Sequence, residues 1–169
     1  MKKLFLLFVS VVVIGLVGIL VDEQREVGRL KKISPVFSKT LPVVQILAEN
    51  EVFELQLYEN DAAEQLLKSL PQTMVMTRWG EGAYGGLLKG EIPVLSDKKL
   101  HRRAFFKGEV VVHQKGKALF LMFGPTPSAL MVDSPMLLGF GGVPVGRIKD
   151  YSALEQFPGV VEFSIQAKQ

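Results

Sequence analysis

The chain has 169 residues, a formal net charge of +3 and no cysteine. That length suffices for one domain with a core that stands alone. The missing cysteines exclude disulfides, thiolate nucleophiles, zinc–cysteine sites and iron–sulfur clusters. The 20 basic residues are interleaved with 17 acidic ones, unlike the one-faced clustering of a nucleic-acid binder, so no nucleic-acid partner is expected.

Lys2 and Lys3 precede an uncharged run from Leu4 to Val21, interrupted only by Ser10, Gly15 and Gly18. As a helix it reaches about 27 Å, close to the hydrocarbon thickness of a bilayer. Its end, Gly18-Ile19-Leu20-Val21-Asp22, offers no pair of small residues at cleavage spacing. Residues 1–21 therefore read as an uncleaved transmembrane anchor, with a cleaved export signal as the alternative. The short basic start favours a domain carried out of the cytoplasm, although Arg25, Arg29, Lys31 and Lys32 reduce the charge asymmetry. Residues 22–42 read as a linker, broken at Ser34-Pro35 and Leu41-Pro42. The globular domain is expected over 43–169.

Val43–Ala48 reads as a strand, Glu49-Asn50 as a turn, and Val52–Tyr58 as its hairpin partner, with Phe53, Leu55 and Leu57 on one face. Asn60 or Asp61 caps a short helix whose apolar stripe is Ala62, Ala63, Leu66, Leu67 and Leu70, and Pro71 stops it. Thr73–Trp79 is a third strand. The glycine-dense stretch 80–90 lacks the spacing of a phosphate cradle and reads as a loop lying close to other backbone. Lys98-Lys99-Leu100-His101-Arg102-Arg103 reads as a solvated basic face. Gly108–His113 and Ala118–Phe123 are strands about a Lys115-Gly116 turn. Leu137–Gly142 and Val145–Ile148 are short strands, Tyr151–Phe157 is a short helix, and Val160–Ile165 is a closing strand. Short gaps between strands predict an antiparallel, mainly β barrel or sandwich with helices at its ends.

Several segments, in order, resemble the small prokaryotic cyclophilin-like family. Leu57–Pro71 is similar to its "L-x-[DE]-N-x-A-A" opening and following helix. Trp79–Tyr84 resembles its "E-x-Y", Gly108-Glu109-Val110 its "G-D-[IVL]", Phe123–Pro127 its "F-[FY]-G-x-T-P", and Val145–Ile148 its "[IV]-G-[RK]-[IV]". The resemblance spans nearly all of 43–169. It implies a closed eight-stranded β-barrel capped by two short helices, and it brings no established activity. The cyclophilin isomerase signature F-H-R-x-x-x-x-F-x-x-Q-G-G-D is echoed only superficially by Leu100–Glu109, because no Gln-Gly-Gly-Asp follows. No isomerase residue carries over, and no catalytic residue is assigned.

Arg78, Glu81 and Tyr84 place a guanidinium, a carboxylate and a phenol near one barrel mouth. Phe123, Pro125 and Thr126 add an apolar wall of the kind that lines ligand clefts. Together these six form the candidate site for a peptide or small-molecule ligand. The plainer reading is an Arg78–Glu81 pair that orders a loop, beside a strand-ending turn. His101 and His113 have no third ligand at metal spacing, and Ser128 and Ser134 have no His–Asp partners. Neither a metal nor a cofactor is expected. The function read from sequence is a membrane-anchored, non-enzymatic cyclophilin-like binding domain. A divergent peptidyl-prolyl isomerase and a structural or assembly subunit at the membrane are the alternatives.

Overall fold

The computed structural model describes residues 36–93, 100–113, 115–124 and 136–168, with the backbone alone for 136–140. The strands are β1 (Val44–Ala48), β2 (Glu51–Leu57), β3 (Gln72–Trp79), β4 (Ala83–Leu87), β5 (Arg102–Phe105), β6 (Glu109–His113), β7 (Ala118–Met122), β8 (Met136–Ile148) and β9 (Val160–Ala167). Among the described residues the α-helix α1 (Asp61–Lys68) follows β2, and a 3-10 helix (Ser152–Gln156) precedes β9. The sheet order is β2-β1-β9-β3-β4-β7-β6-β8, and a β2–β8 pairing closes it into an antiparallel ring of eight strands. β5 hangs outside this ring on β8. The expected eight-stranded barrel is present. Its expected second cap is a single 3-10 turn rather than an α-helix.

Alternation sets the interior. Val44, Ile46 and Ala48 of β1, with Phe53, Leu55 and Leu57 of β2, point inward and are buried. They meet Met76, Tyr84, Val110, Val112, Leu119, Leu121, Phe163 and Ile165 in one core. At the start of α1 the Asn60 Oδ1 accepts from the Ala63 N–H at 2.9 Å. The same amide donates through Nδ2 to the Pro144 carbonyl at 3.0 Å, which fastens the helix to β8. Its buried face, Ala62, Ala63 and Leu66, then joins the core. A second, smaller cluster of Ala83, Phe105, Val111, Phe120 and Met122 lies apart from that core.

Three sequence expectations change. The 80–90 stretch contains strand β4, paired with β3 and β7. Its glycines make room chiefly for side chains rather than for the expected backbone: a Cβ at Gly85 would lie 2.5 Å from the Phe120 ring, and one at Gly86 would lie 2.8 Å from the Met76 side chain. The two short strands expected over 137–148 are one strand, β8, which pairs first with β5 and then with β6 and β2. The basic run ends in strand β5, and Arg102 is buried, not solvated. Among the described residues no helix is long and apolar enough to cross a membrane. The Leu4–Val21 segment expected to do so lies outside the described residues.

Candidate functional site

Three of the sequence-selected residues come together. Arg78 and Tyr84 are directly opposite on β3 and β4. The Tyr84 ring stacks on Phe123 with centroids 5.3 Å apart, and the Arg78 guanidinium lies 5.3 Å from the Phe123 centroid. Both polar heads are engaged with backbone. The Tyr84 hydroxyl is shared between the Phe157 and Pro158 carbonyls at 2.9 and 2.7 Å. The Arg78 Nη1 donates to the Glu155 and Phe157 carbonyls at 3.2 and 3.4 Å. Burial pushes the Tyr84 phenol above its ordinary value, and Arg78 opposes that. This group clamps the segment that leads from the 3-10 helix into β9. Glu81 is exposed in the turn before β4 and forms no ion pair with Arg78 among the described residues. Pro125 and Thr126 lie outside the described residues.

A second polar group, buried more deeply, joins Tyr58, Arg102 and Glu109. A tight turn delivers Glu109. Gly108 adopts φ +82°, and a Cβ there would sit 2.6 Å from the Ile148 carbonyl oxygen. Only glycine allows this approach. The Glu109 N–H donates to the Phe106 carbonyl at 3.1 Å, and the Phe106 N–H returns a bond to Glu109 Oε2 at 2.8 Å. The other carboxylate oxygen, Oε1, accepts from the Tyr58 hydroxyl at 3.2 Å and from the Arg102 Nη2. Glu109 is 1 % exposed, Tyr58 4 % and Arg102 8 %.

Arg102 has a further property. Its guanidinium carbon lies 5.4 Å from the Phe105 ring centroid and 5.6 Å from that of Phe106. Its Nε and Nη1 are buried and have no hydrogen-bond partner among the described residues. Burying a donor without a partner costs about 1–3 kcal/mol. Tyr58 is held in its protonated form: burial pushes its phenol far above the ordinary range, and the Glu109 charge adds to the effect. It is therefore a donor at neutral pH, not a base. Sequence reading missed this group because Arg102 sits inside a basic run. The available signal was Phe105-Phe106 three residues on, with a carboxylate one short turn later.

Among the described residues no three His, Cys, Asp or Glu side chains gather at a metal-holding distance. The His101 ring covers Gly141, where a Cβ would come within 2.0 Å of its Cε1. The His113 Nδ1 accepts from the Lys115 N–H at 3.1 Å.

The family model described as cyclophilin-like matches residues 42–155. The fold is similar to the solution structure of a hypothetical protein from Archaeoglobus fulgidus, with a TM-score of 0.58 and 20% sequence identity. That similarity covers 80% of this chain and 98% of the archaeal one, and it bears on the fold alone. No curated protein sequence matches this chain.

Proposed function

Because this chain belongs to the cyclophilin-like family, we propose that it is a membrane-anchored, non-enzymatic binding domain that takes a peptide or small ligand at Arg102. One observation carries the reading: a buried guanidinium with Nε and Nη1 unpartnered among the described residues. An acceptor oxygen placed there recovers the cost of the bare donors. Glu109 already balances the Arg102 charge, so a neutral carbonyl fits better than a carboxylate, which would leave one buried negative charge uncompensated. Phe105 and Phe106 supply apolar surface beside it.

The non-enzymatic half of the reading rests on the neighbours. Glu109 is committed to three donors, and Tyr58 keeps its proton. Neither is available as a general base at neutral pH. The anchoring half rests on the length and apolarity of residues 4–21 alone.

The test is a titration of end-blocked tetrapeptides followed by the Nε–H resonance of Arg102. Binding at the site moves that signal, and Arg102→Lys, which removes the guanidinium, abolishes the peptide affinity measured by calorimetry. Peptides that leave the signal in place throughout the panel refute the reading. A protease-coupled assay on a prolyl tetrapeptide should show no rate above the uncatalysed tens of seconds; acceleration would favour the isomerase alternative. Membrane fractions washed in high salt should retain the full chain, and its release would remove the anchor.

A further inference from the structure

Residues 36–40 were assigned by sequence to the linker, yet they lie on the barrel beside the buried polar group. The Ser38 N–H donates to the Leu57 carbonyl at 2.9 Å, and the Glu59 N–H donates to the Val36 carbonyl at 2.8 Å. Phe37 forms an isolated bridge with Tyr58, and its ring stands 5.0 Å from the Tyr58 ring at a tilt of 36°. The Ser38 Oγ accepts from the Thr40 and Leu41 N–H groups at 3.2 and 3.0 Å, which folds the segment into a compact turn. Ser38 is buried, but its neighbours are open: Val36 is 66% exposed and Phe37 39%. A peripheral segment held by two barrel hydrogen bonds is of the kind that opens before the core of a fold does.

Tyr58 therefore has two attachments. Its ring carries the segment, and its hydroxyl reaches Glu109 Oε1, the oxygen that also takes Arg102 Nη2. We infer that residues 36–40 are a strap whose docking on Tyr58 is energetically coupled to the Arg102 site through the shared Glu109 oxygen. This rests on the reading of Arg102 as the ligand contact. A ligand that fixes the guanidinium fixes Oε1, steadies the Tyr58 ring and tightens the strap. By linkage, a docked strap tightens ligand binding by the same factor. The strap is also the covalent connection between residues 1–35 and the barrel, so a pull on the N-terminal segment lowers affinity at the site.

The coupling is read in the full-length chain without any ligand, from two signals: amide exchange at Ser38 and Glu59, and the Arg102 Nε–H resonance. Phe37→Ala removes the ring contact and should speed exchange at both amides roughly 2- to 10-fold. It should also shift the Arg102 signal. Ser38→Ala, which loosens the turn without touching Tyr58, should move both readouts in the same direction and serves if Phe37→Ala folds poorly. In a Tyr58→Phe background the ring remains but the hydroxyl link is gone, and Phe37→Ala should then leave the Arg102 signal in place. A strap that opens in the native background without shifting Arg102 overturns the inference. Since no peptide enters this measurement, that failure is separate from a failure of peptide binding.

Discussion

Glu109→Gln is the sharpest perturbation of this fold. The carboxylate accepts from three donors: Arg102 Nη2 and the Tyr58 hydroxyl at Oε1, and the Phe106 N–H at Oε2. A glutamine amide has only one acceptor oxygen. If that oxygen faces Arg102 and Tyr58, its NH2 meets the Phe106 N–H; if flipped, it meets the other two. Either orientation sets donor against donor, and Arg102 is left as an uncompensated cation at 8 % exposure. Breaking a buried ion pair on one side costs about 3–5 kcal/mol. A domain of this size is stable by roughly 5–15 kcal/mol, so the variant loses a large fraction of its stability. Equilibrium urea unfolding can be followed through Trp79, the single tryptophan, which packs edge-on against Phe120 at 5.6 Å. The double replacement Arg102→Met with Glu109→Leu removes both charges and should recover part of the loss, because apolar packing commonly equals or exceeds a buried pair while the Tyr58 hydroxyl and the Phe106 N–H still lose their acceptor. The double variant should nonetheless fail to bind peptide. If Glu109→Gln stays within about 1 kcal/mol of the native chain, the account of a charged, fully engaged carboxylate is wrong.

Three smaller outcomes are expected. Tyr84→Phe removes the hydroxyl from the Phe157 and Pro158 carbonyls and should cost about 1–2 kcal/mol in the same unfolding assay, with faster exchange at the Arg78 amide that bonds Gly159. Gly108→Ala puts a Cβ 2.6 Å from the Ile148 oxygen at φ +82°. It should cost about 2 kcal/mol or more, with the Glu109 resonances disturbed. Burial, aided by the Lys115 and His101 charges, holds the His113 imidazole below its ordinary value. The unfolded chain then binds more protons between the folded value and about 6.5, so stability is full above that window and falls as pH drops through it. The unfolding free energy should decline from pH 7.5 to 5 with a slope no steeper than about 1.4 kcal/mol per pH unit from this group. His113→Gln should flatten that slope, and an unchanged slope would assign it elsewhere.

The hairpin, helix and closing strand were legible because each follows a local rule. Phe53, Leu55 and Leu57 alternate, Asn60 caps within three residues, and Pro71 has no N–H to continue the helix. β4 was not legible, because Ala83-Tyr84-Gly85-Gly86-Leu87 has almost no β-branched or apolar alternation. Its glycines answer to Phe120 and Met76, residues distant in sequence or across a strand pair. β8 looked divided because Gly142 and Pro144 interrupt its apolar pattern; its continuity comes from three different partner strands. The count of eight barrel strands was right through compensating differences: one strand fewer over 137–148 and one more at β4. At the site, Arg78, Tyr84 and Phe123 were found together because two of them flank one turn and a short strand pairs them. Arg102 was hidden because its burial depends on Glu109, which the turn at Gly108 brings round to it.

The place of β9 in the ring also bears on the order of assembly. It lies between β1 and β3, and is the last barrel strand in the sequence. Until residues 160–167 are available, β1 and β3 have no common neighbour, and the hydrogen-bonding edges they will share stay open. The barrel therefore cannot close progressively as the chain emerges from its N-terminal side. Its first hairpin must wait, unprotected, for a partner more than a hundred positions away in sequence, as the Val44–Ala167 pairing shows. Such long-range closure makes folding slow and leaves exposed strand edges open to aggregation in the interval. A circular permutant that joins Lys168 to Val43, whose backbones already bond at 3.2 Å, would deliver β9 and β1 together and should fold faster.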